Sequence, residues 1–156
     1  MRRIRKIYQN PRMSWDSDEI ADRKTLMRTY GLRRRREILI AQEILRNYRR
    51  RSRELIAKKD EKKMGALIGK LVKLGLLKEG QGLDDVLALS VKDLFERRLQ
   101  TIVWRKGLAT TAPQARQSIT HGHVSIAGKK VKSPAYLVPV EEDEKITFSG
   151  PPRGGE

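Results

Sequence analysis

The sequence contains no cysteine, and this absence excludes disulfide bonds, cysteine-ligated zinc sites and thiol nucleophiles. Only 5% of the 156 residues are aromatic and 38% are hydrophobic, so cores of modest size are expected rather than one large core. No apolar stretch approaches the roughly 20 residues that a membrane span requires, and no membrane partner is expected. The cationic N-terminus has no apolar segment behind it, so a secretory signal is not expected either, and the cytoplasm is the simplest location.

Acidic residues are also scarce, since 19 of them face 35 lysines and arginines and leave a net charge of +16. A chain this basic repels itself unless a polyanion neutralises it, so the composition favours nucleic acid as the partner. The basic residues concentrate in 1–63 and 93–137, on either side of a nearly neutral stretch. This pattern predicts two nucleic-acid-facing surfaces joined by a packed helical segment.

The first basic block predicts an arm followed by helices. Residues 1–15 lack periodicity, so an extended arm that becomes ordered on a partner is expected. A short helix should begin near Asp16 and end near Thr29, and after Gly31 a long helix is expected over 32–59.

Two arginine clusters lie on this long helix, about 20 Å apart at 1.5 Å per residue. Few acidic residues are close enough to compensate them, and arginine binds phosphate with two hydrogen bonds at once, so phosphate contact is predicted; the alternative is a solvated helix face. The cluster residues are Arg33, Arg34, Arg35, Arg36, Arg49, Arg50, Arg51 and Arg53.

The nearly neutral stretch predicts a core-forming helix from Met64 to about Leu77 and a short helix near 84–89. Gly65, Gly69 and Lys70 invite comparison with a phosphate-binding P-loop. That loop needs four residues between its glycines and a serine or threonine after the lysine, and neither condition is met. The two glycines are therefore interpreted as allowing close contact between helices.

The second basic block predicts a pair of helices and a small sheet. One helix is expected over 93–105, with an apolar side and a separate basic side. Thr111 and Gln114 match a capping box with Pro113 in the first turn, so a second helix should run from there to Gly122. An alternating pattern then predicts a hairpin that turns at 127–128, with further strand candidates over 136–148.

The pattern Arg98-Leu99, Gly107, Ala115-Arg116-Gln117, Ile119, Gly122-His123-Val124-Ser125-Ile126, Gly128, Val131 and Pro134 resembles the S4 RNA-binding domain. The runs YGLRRRREILIAQEILRNYRRRSREL and LFERRLQT extend the likeness, since they resemble the archaeal and eukaryal branch of the small-subunit ribosomal S4 family. Two positions depart from the pattern of many S4 domains, which have aspartate where Gln100 lies and asparagine where Ala127 lies. Both departures fit the archaeal and eukaryal branch.

The resemblance implies an α+β fold, in which a mostly helical N-terminal domain precedes a helix pair packed on a short antiparallel sheet. The expected boundaries are 1–92 for the arm and helical domain, 93–148 for the S4-like RNA-binding domain and 149–156 for a flexible tail. No cofactor is implied. Many bacterial relatives bind zinc through an N-terminal cysteine cluster, and without cysteine no metal is expected here.

The function implied is that of a structural constituent of the small ribosomal subunit in the cytoplasm, not an enzyme. Such a protein is a primary rRNA-binding protein that nucleates and holds the 5′ domain of small-subunit rRNA, near the side where mRNA enters. The expected partners are that rRNA, neighbouring small-subunit proteins and mRNA. The alternative is a free RNA-binding chaperone or stress-response RNA binder that uses the same domain.

The motif also implies which residues face RNA, in addition to the two arginine clusters. Arg116 has a second interpretation, since its helical position near the apolar side would let it brace the two helices. The implied residues are Arg97, Arg98, Arg105, Gln114, Arg116, Gln117, His121, Lys129, Lys130 and Lys132.

Three other features predict no chemistry. His121 and His123 have no third metal ligand nearby in the sequence, and the acidic run 141–144 is interpreted as a solvated turn without a catalytic pocket. Trp15 and Trp104 are expected to pack in cores rather than to stack on bases.

Overall fold

The computed structural model describes residues 6–13 and 15–149. In that part of the chain five helices come first, and two more helices precede a small sheet that is interrupted by a single helical turn. The elements are α1 (Ser17–Thr29), α2 (Arg35–Lys58), α3 (Glu61–Lys73), α4 (Leu83–Ala88), α5 (Val91–Glu96), α6 (Leu99–Arg105), α7 (Ala112–Thr120), β1 (Val124–Ile126), β2 (Lys129–Lys130), α8 (Val140–Asp143) and β3 (Ile146–Phe148). The predicted α+β fold is confirmed.

Side-chain caps begin α1 and α7 where the sequence predicts them, and a third cap begins α5 two residues before the predicted start at 93. The Asp16 carboxylate accepts a hydrogen bond from the Asp18 N–H at 3.1 Å and begins α1. Ser90 and Asp93 form a reciprocal capping box at α5, and Thr111 accepts from the Gln114 N–H at the start of α7. The Gln114 side chain does not complete a second box, because it accepts from the Thr110 N–H instead.

The first core lies between α2 and the helices that follow it. Buried residues from 30 to 95 meet around Ile38, Leu71, Val86 and Phe95. Inside the same core the Ser52 hydroxyl donates to the Leu83 carbonyl at 3.0 Å, which satisfies a polar group that water cannot reach. The helix α5 therefore packs with the N-terminal helices.

The second core is formed by α6, α7 and the sheet. Leu99, Val103, Ala115, Ile119 and Val124 are fully buried within it. The small side chain of Ala115 lets α7 lie close to α6. The two cores meet along the connection between α5 and α6.

The single helix predicted over 93–105 is wrong, because the chain leaves helical geometry at Arg97 and Arg98. The backbone there pairs with a later segment: the Val138 N–H donates to the Arg97 carbonyl at 3.0 Å, and the Leu99 N–H donates to the Tyr136 carbonyl at 2.8 Å. Strand-like pairing over these residues competes with the helix and separates α5 from α6. Both arginines consequently turn inward.

The sheet has strand order β2-β1-β3, and both pairings are antiparallel. The hairpin turns at Ala127 and Gly128, which have φ of 48° and 80°, as a tight turn of this kind requires. Among the further strand candidates, β3 is confirmed, whereas residues 140–143 form α8.

Two other expectations are affected by the structure. Gly65 and Gly69 face open space, so the predicted close helix contact at these glycines is wrong within the described chain. Of the predicted arm, residues 6–13 contain no helix or strand, while 1–5 and 14 lie outside the described residues, as does the predicted tail from 150 onwards.

None of the helices described is both long enough and apolar enough to cross a membrane.

Candidate nucleic-acid interface

The run from Arg33 to Arg36 leads into α2 with all four side chains exposed. Arg36 lies over the Tyr8 ring, 5.5 Å from its centroid, so the N-terminal segment packs against this end of the helix. Four exposed guanidinium groups at consecutive positions present a dense positive surface.

A cleft of about 610 Å³ lies between this run and the C-terminal half of α7. Arg28 and Arg33 line its wall on the first core, and Gln117 and His121 line the wall on the second core. The structure thus brings together predicted residues that lie more than 80 positions apart in the sequence. Arg33 of the arginine run and α7 therefore share one surface.

A second cleft of about 870 Å³ runs along the middle of α2. Its arginines include Arg49, Arg50 and Arg53 of the predicted cluster, together with Arg12 and Arg46. The Arg49 side chain is held by a hydrogen bond of 2.5 Å to the Leu89 carbonyl, and its Nε is buried without a partner among the described residues. Arg51 is exposed but does not line either cleft.

The hairpin lysines extend the positive surface of the second core. Lys129, Lys130 and Lys132 are exposed, and Lys132 approaches the end of α7 at Gly122. Gln114 is exposed with its side-chain oxygen turned back to Thr110. Arg105 is exposed and lies 2.6 Å from Glu96, so it reaches solvent with part of its charge compensated.

Arg97 and Arg98 lie inside the structure. Arg97 donates to the carbonyls of Leu74 and Val138 at 3.0 and 2.8 Å and forms an ion pair with Asp143 at 3.1 Å. Arg98 is 8% exposed, lies over the Phe95 ring and contacts Glu37 at 3.3 Å. The exposed basic side predicted for the helix over 93–105 is therefore absent at these two positions, and an RNA contact by either residue remains a prediction.

Glu37 is the centre of an ion-pair cluster that joins the two cores. Arg116 donates two hydrogen bonds of 2.9 and 3.1 Å to its carboxylate, and Arg98 donates one of 3.3 Å to the oxygen Oε2 that Arg116 also contacts. Burial, the largest influence, raises the pKa of Glu37, but the hydrogen bonds and charges of the two arginines outweigh it and leave that pKa below its usual value. Arg116 thus braces α7 chiefly against α2, and reaches α6 only through Gln100 Oε1 at 3.5 Å; an RNA contact by Arg116 remains a prediction.

The lowered pKa of Glu37 makes the stability of the fold pH-dependent. The unfolded carboxylate has a pKa near 4.5 and the folded one a lower value, so the stabilisation is present above pH 4.5 and is lost as the pH falls through the folded pKa. We expect the free energy of unfolding, measured with urea between pH 7 and pH 3, to decrease below about pH 4.5. The decrease should be smaller in Glu37→Gln; an identical acid dependence in that variant would contradict the assignment.

A buried amide completes the junction between the cores. The Gln100 side chain is 2% exposed, and its Nε2 lies 3.0 Å from the carbonyl oxygens of Tyr30, Gly31 and Ala112. At Gly31 the backbone has φ of 58°, and a Cβ there would lie 2.8 Å from the Cβ of Ala112. The corner between α1 and α2 is thus fitted against the start of α7.

The sequence reasoning missed several residues of this surface. Arg12, Arg28 and Arg46 line the clefts but were not predicted, because they lie singly outside the arginine runs. Glu37 had one available signal, since it directly follows the first arginine run. The acidic run 141–144 is more than a solvated turn, because Asp143 pairs with Arg97 and with Lys106. Among the described residues, no group of three or more metal-ligating side chains comes together.

Comparison with known proteins identifies relatives for both parts of the chain. The S4 domain family matches residues 97–144, which begin where the chain leaves α5. The small ribosomal subunit protein uS4 of Ignicoccus hospitalis is 47% identical over 151 residues, which cover 95% of this chain and 91% of that relative. The proteins of the same name from Saccharolobus solfataricus and Saccharolobus islandicus are each 46% identical over 151 residues, covering 94% of this chain and 83% of theirs.

Proposed function

Because this chain belongs to the family of small ribosomal subunit protein uS4, we propose that it binds small-subunit rRNA as a primary assembly protein. Proteins of this family are structural constituents of the small ribosomal subunit and not enzymes. The finer proposal is that the protein nucleates and holds the 5′ domain of the rRNA, near the side where mRNA enters. The proposed location is the ribosome in the cytoplasm, with neighbouring small-subunit proteins and mRNA as further partners.

One observation carries the proposal: Arg28 and Arg33, the first residue of the arginine run, line one cleft with the α7 residues of the second core. The Glu37 cluster and the Gln100 amide hold the two cores in contact beside this cleft, which Arg116 and Gly31 also line. A positive surface that spans both cores can contact two RNA segments at a fixed distance. This suits recognition of a folded RNA junction, where backbone shape rather than base sequence is recognised.

The second cleft supplies a further set of phosphate contacts along α2. Arginine and lysine contacts release counterions from the RNA backbone, so the affinity should decrease steeply as the salt concentration increases. The protein acts as a clamp on the RNA. Electrostatic contacts supply the affinity, and the rigid junction of the two cores fixes where the protein lies on the RNA. In this arrangement the proposed domains 1–92 and 93–148 bind as one unit.

Neutralising two residues of the exposed run tests this surface directly. We expect Arg33→Ala/Arg34→Ala to weaken binding to a 5′-domain rRNA fragment at least about tenfold, because two charge-assisted contacts are lost. The slope of log affinity against log salt should become smaller by about 2. Filter binding at several salt concentrations measures both quantities.

A matched control lies on α3, outside both clefts. Lys70→Ala/Lys73→Ala removes the same charge from exposed positions on α3, which line neither cleft. It should leave the affinity nearly unchanged. Equal losses in the two double variants would show that net charge alone, and not this surface, determines binding.

The free RNA chaperone alternative predicts different behaviour in a cell lysate. A constituent of the small subunit should sediment with that subunit at low salt and remain bound through moderate salt, whereas a free binder should stay near the top of the gradient. Binding to any duplex RNA as tightly as to the 5′-domain fragment would contradict the proposed role in assembly.

A further inference from the structure

Trp15 is 91% exposed, although it is among the largest apolar side chains in the protein. The predicted packing role is therefore wrong for Trp15, whereas Trp104 packs partly buried against the second core. An indole in water forgoes the stabilisation that burial of its apolar surface would provide. Trp15 does not stand alone but borders an apolar cleft, and an exposed apolar patch of this kind marks a surface that another molecule covers.

Trp15 lines a mainly apolar cleft of about 320 Å³ together with Ile20 and Met27. The remaining walls come from Arg23, Lys24 and Arg35. The Arg23 guanidinium is fixed by hydrogen bonds to the carbonyl and the carboxylate of Glu19, at 2.8 and 3.1 Å. The cleft thus has an apolar interior, and one of its charged walls is held in place.

The rim of this cleft is cationic. Lys24 and Arg35 are exposed, and neither has an ion-pair partner among residues 6–13 and 15–149. Arg35 also belongs to the exposed arginine run, so the cleft is continuous with the proposed RNA surface. A ligand that fits must combine a flat apolar face with flanking negative charge.

We propose that Trp15 and this cleft bind an unpaired RNA base, which stacks on the indole while Lys24 and Arg35 contact the adjoining phosphates. The inference rests on the proposed RNA-binding function and adds a site for single-stranded RNA to it. Every base has a π face, so stacking on an aromatic side chain tolerates sequence, and the nearby cations hold the backbone. An apolar segment of a neighbouring protein would occupy the cleft without using this cationic rim.

The first test compares affinities for the 5′-domain rRNA fragment. Trp15→Ala should weaken binding about tenfold, as expected for the loss of one stacked base, while Trp15→Phe should retain most of the affinity. The salt slope should not change, because no phosphate contact is removed. The thermal unfolding midpoint should also be unchanged, since the side chain is exposed outside a helix.

A fluorescence test uses short probes and does not depend on rRNA. The emission of Trp15 is obtained by subtracting the tryptophan emission of Trp15→Phe from that of the wild-type protein. Both proteins contain Trp104, so its contribution cancels. Single-stranded oligoadenylate should quench this emission, whereas an abasic oligomer of equal length and charge should not. Equal effects of the two probes would mean that only phosphate is bound, and would overturn the proposal.

The outcomes also separate this proposal from the function on which it rests. If wild-type protein binds the rRNA fragment with strong salt dependence and Trp15→Ala binds equally well, the stacking site is refuted and the RNA-binding function stands. If Trp15→Ala keeps its RNA affinity but enters reconstituted small subunits poorly, the cleft binds a protein neighbour and the proposal is likewise overturned. If the wild-type protein binds no RNA and oligoadenylate does not quench Trp15, both proposals fail.

Discussion

Replacing Glu37 with alanine should lower the free energy of unfolding by about 3 kcal/mol, because it leaves two arginines near each other without their shared carboxylate. Arg98 is 8% exposed and cannot recover full hydration, so its charge becomes costly in the variant. Arg116 is more exposed and can turn partly towards water. Urea denaturation at pH 7 measures the change.

A control for Glu37→Ala lies on the same helix. Glu54 contacts Arg50 at 3.7 Å with both side chains largely exposed, so Glu54→Ala should cost less than about 1 kcal/mol. A double variant that also replaces Arg98 by methionine should recover part of the lost stability, since no uncompensated charge then remains buried at that position. Similar losses for Glu37→Ala and Glu54→Ala would show that the cluster contributes little.

The same variant also indicates what Arg98 does. If its role is to join the cores, Glu37→Ala should weaken RNA binding only to the extent that the protein unfolds or the cores separate. If Arg98 contacts RNA, the Glu37 carboxylate competes with RNA for it. The folded fraction of Glu37→Ala should then bind RNA with unchanged or higher affinity. Affinity measured well below the unfolding temperature separates these two roles.

Local patterns in the sequence predict much of this fold. Asp16, Ser90 and Thr111 each precede a helix whose first turn they cap, and such signals act over three residues. The glycine-punctuated hairpin is local in the same way, because Ala127 and Gly128 alone set its turn. These elements can be predicted since the physical cause lies within a few residues of its effect.

The partners of charged residues could not be predicted in this way. Arg98 lies 61 positions from Glu37, and Arg116 lies 79 positions from it, so no local pattern relates them. Helical periodicity placed Arg97 and Arg98 on an exposed side because it assumed a continuous helix. The backbone pairing with Tyr136 and Val138 that ends α5 is a long-range interaction, and it reversed the orientation of both side chains.

Gln100 shows how a departure from a family pattern can carry structural information. Aspartate is common at this position in S4 domains, and a carboxylate cannot donate to a carbonyl. In this chain the side-chain amide faces three backbone carbonyls, two of which belong to the corner between α1 and α2. Glutamine in place of aspartate at position 100 thus corresponds to a contact between the two cores. The carbonyl groups that accept its hydrogen bonds could not be identified from the sequence alone.

Gln100→Glu should accordingly lower the free energy of unfolding by roughly 3 kcal/mol at pH 7 with almost no change in shape. The substitution removes the buried donor, leaves three carbonyls without it and places negative charge against their oxygens. Arg116 Nη1, 3.5 Å from the Gln100 Oε1, offsets only part of this cost. Urea denaturation and amide exchange at Gly31 would report the loss and its location.

The pH dependence of Gln100→Glu separates the amide's role from packing alone. Burial should raise the pKa of the introduced carboxyl, and once protonated it can donate to one carbonyl, so the stability deficit relative to wild type should become smaller towards pH 5. Gln114→Glu is the matched control, because Gln114 is exposed on the neighbouring helix and should change stability by less than about 0.5 kcal/mol. A deficit in Gln100→Glu that stays constant from pH 7 to pH 5 would mean that altered packing, rather than the lost donor and the buried charge, destabilises the junction.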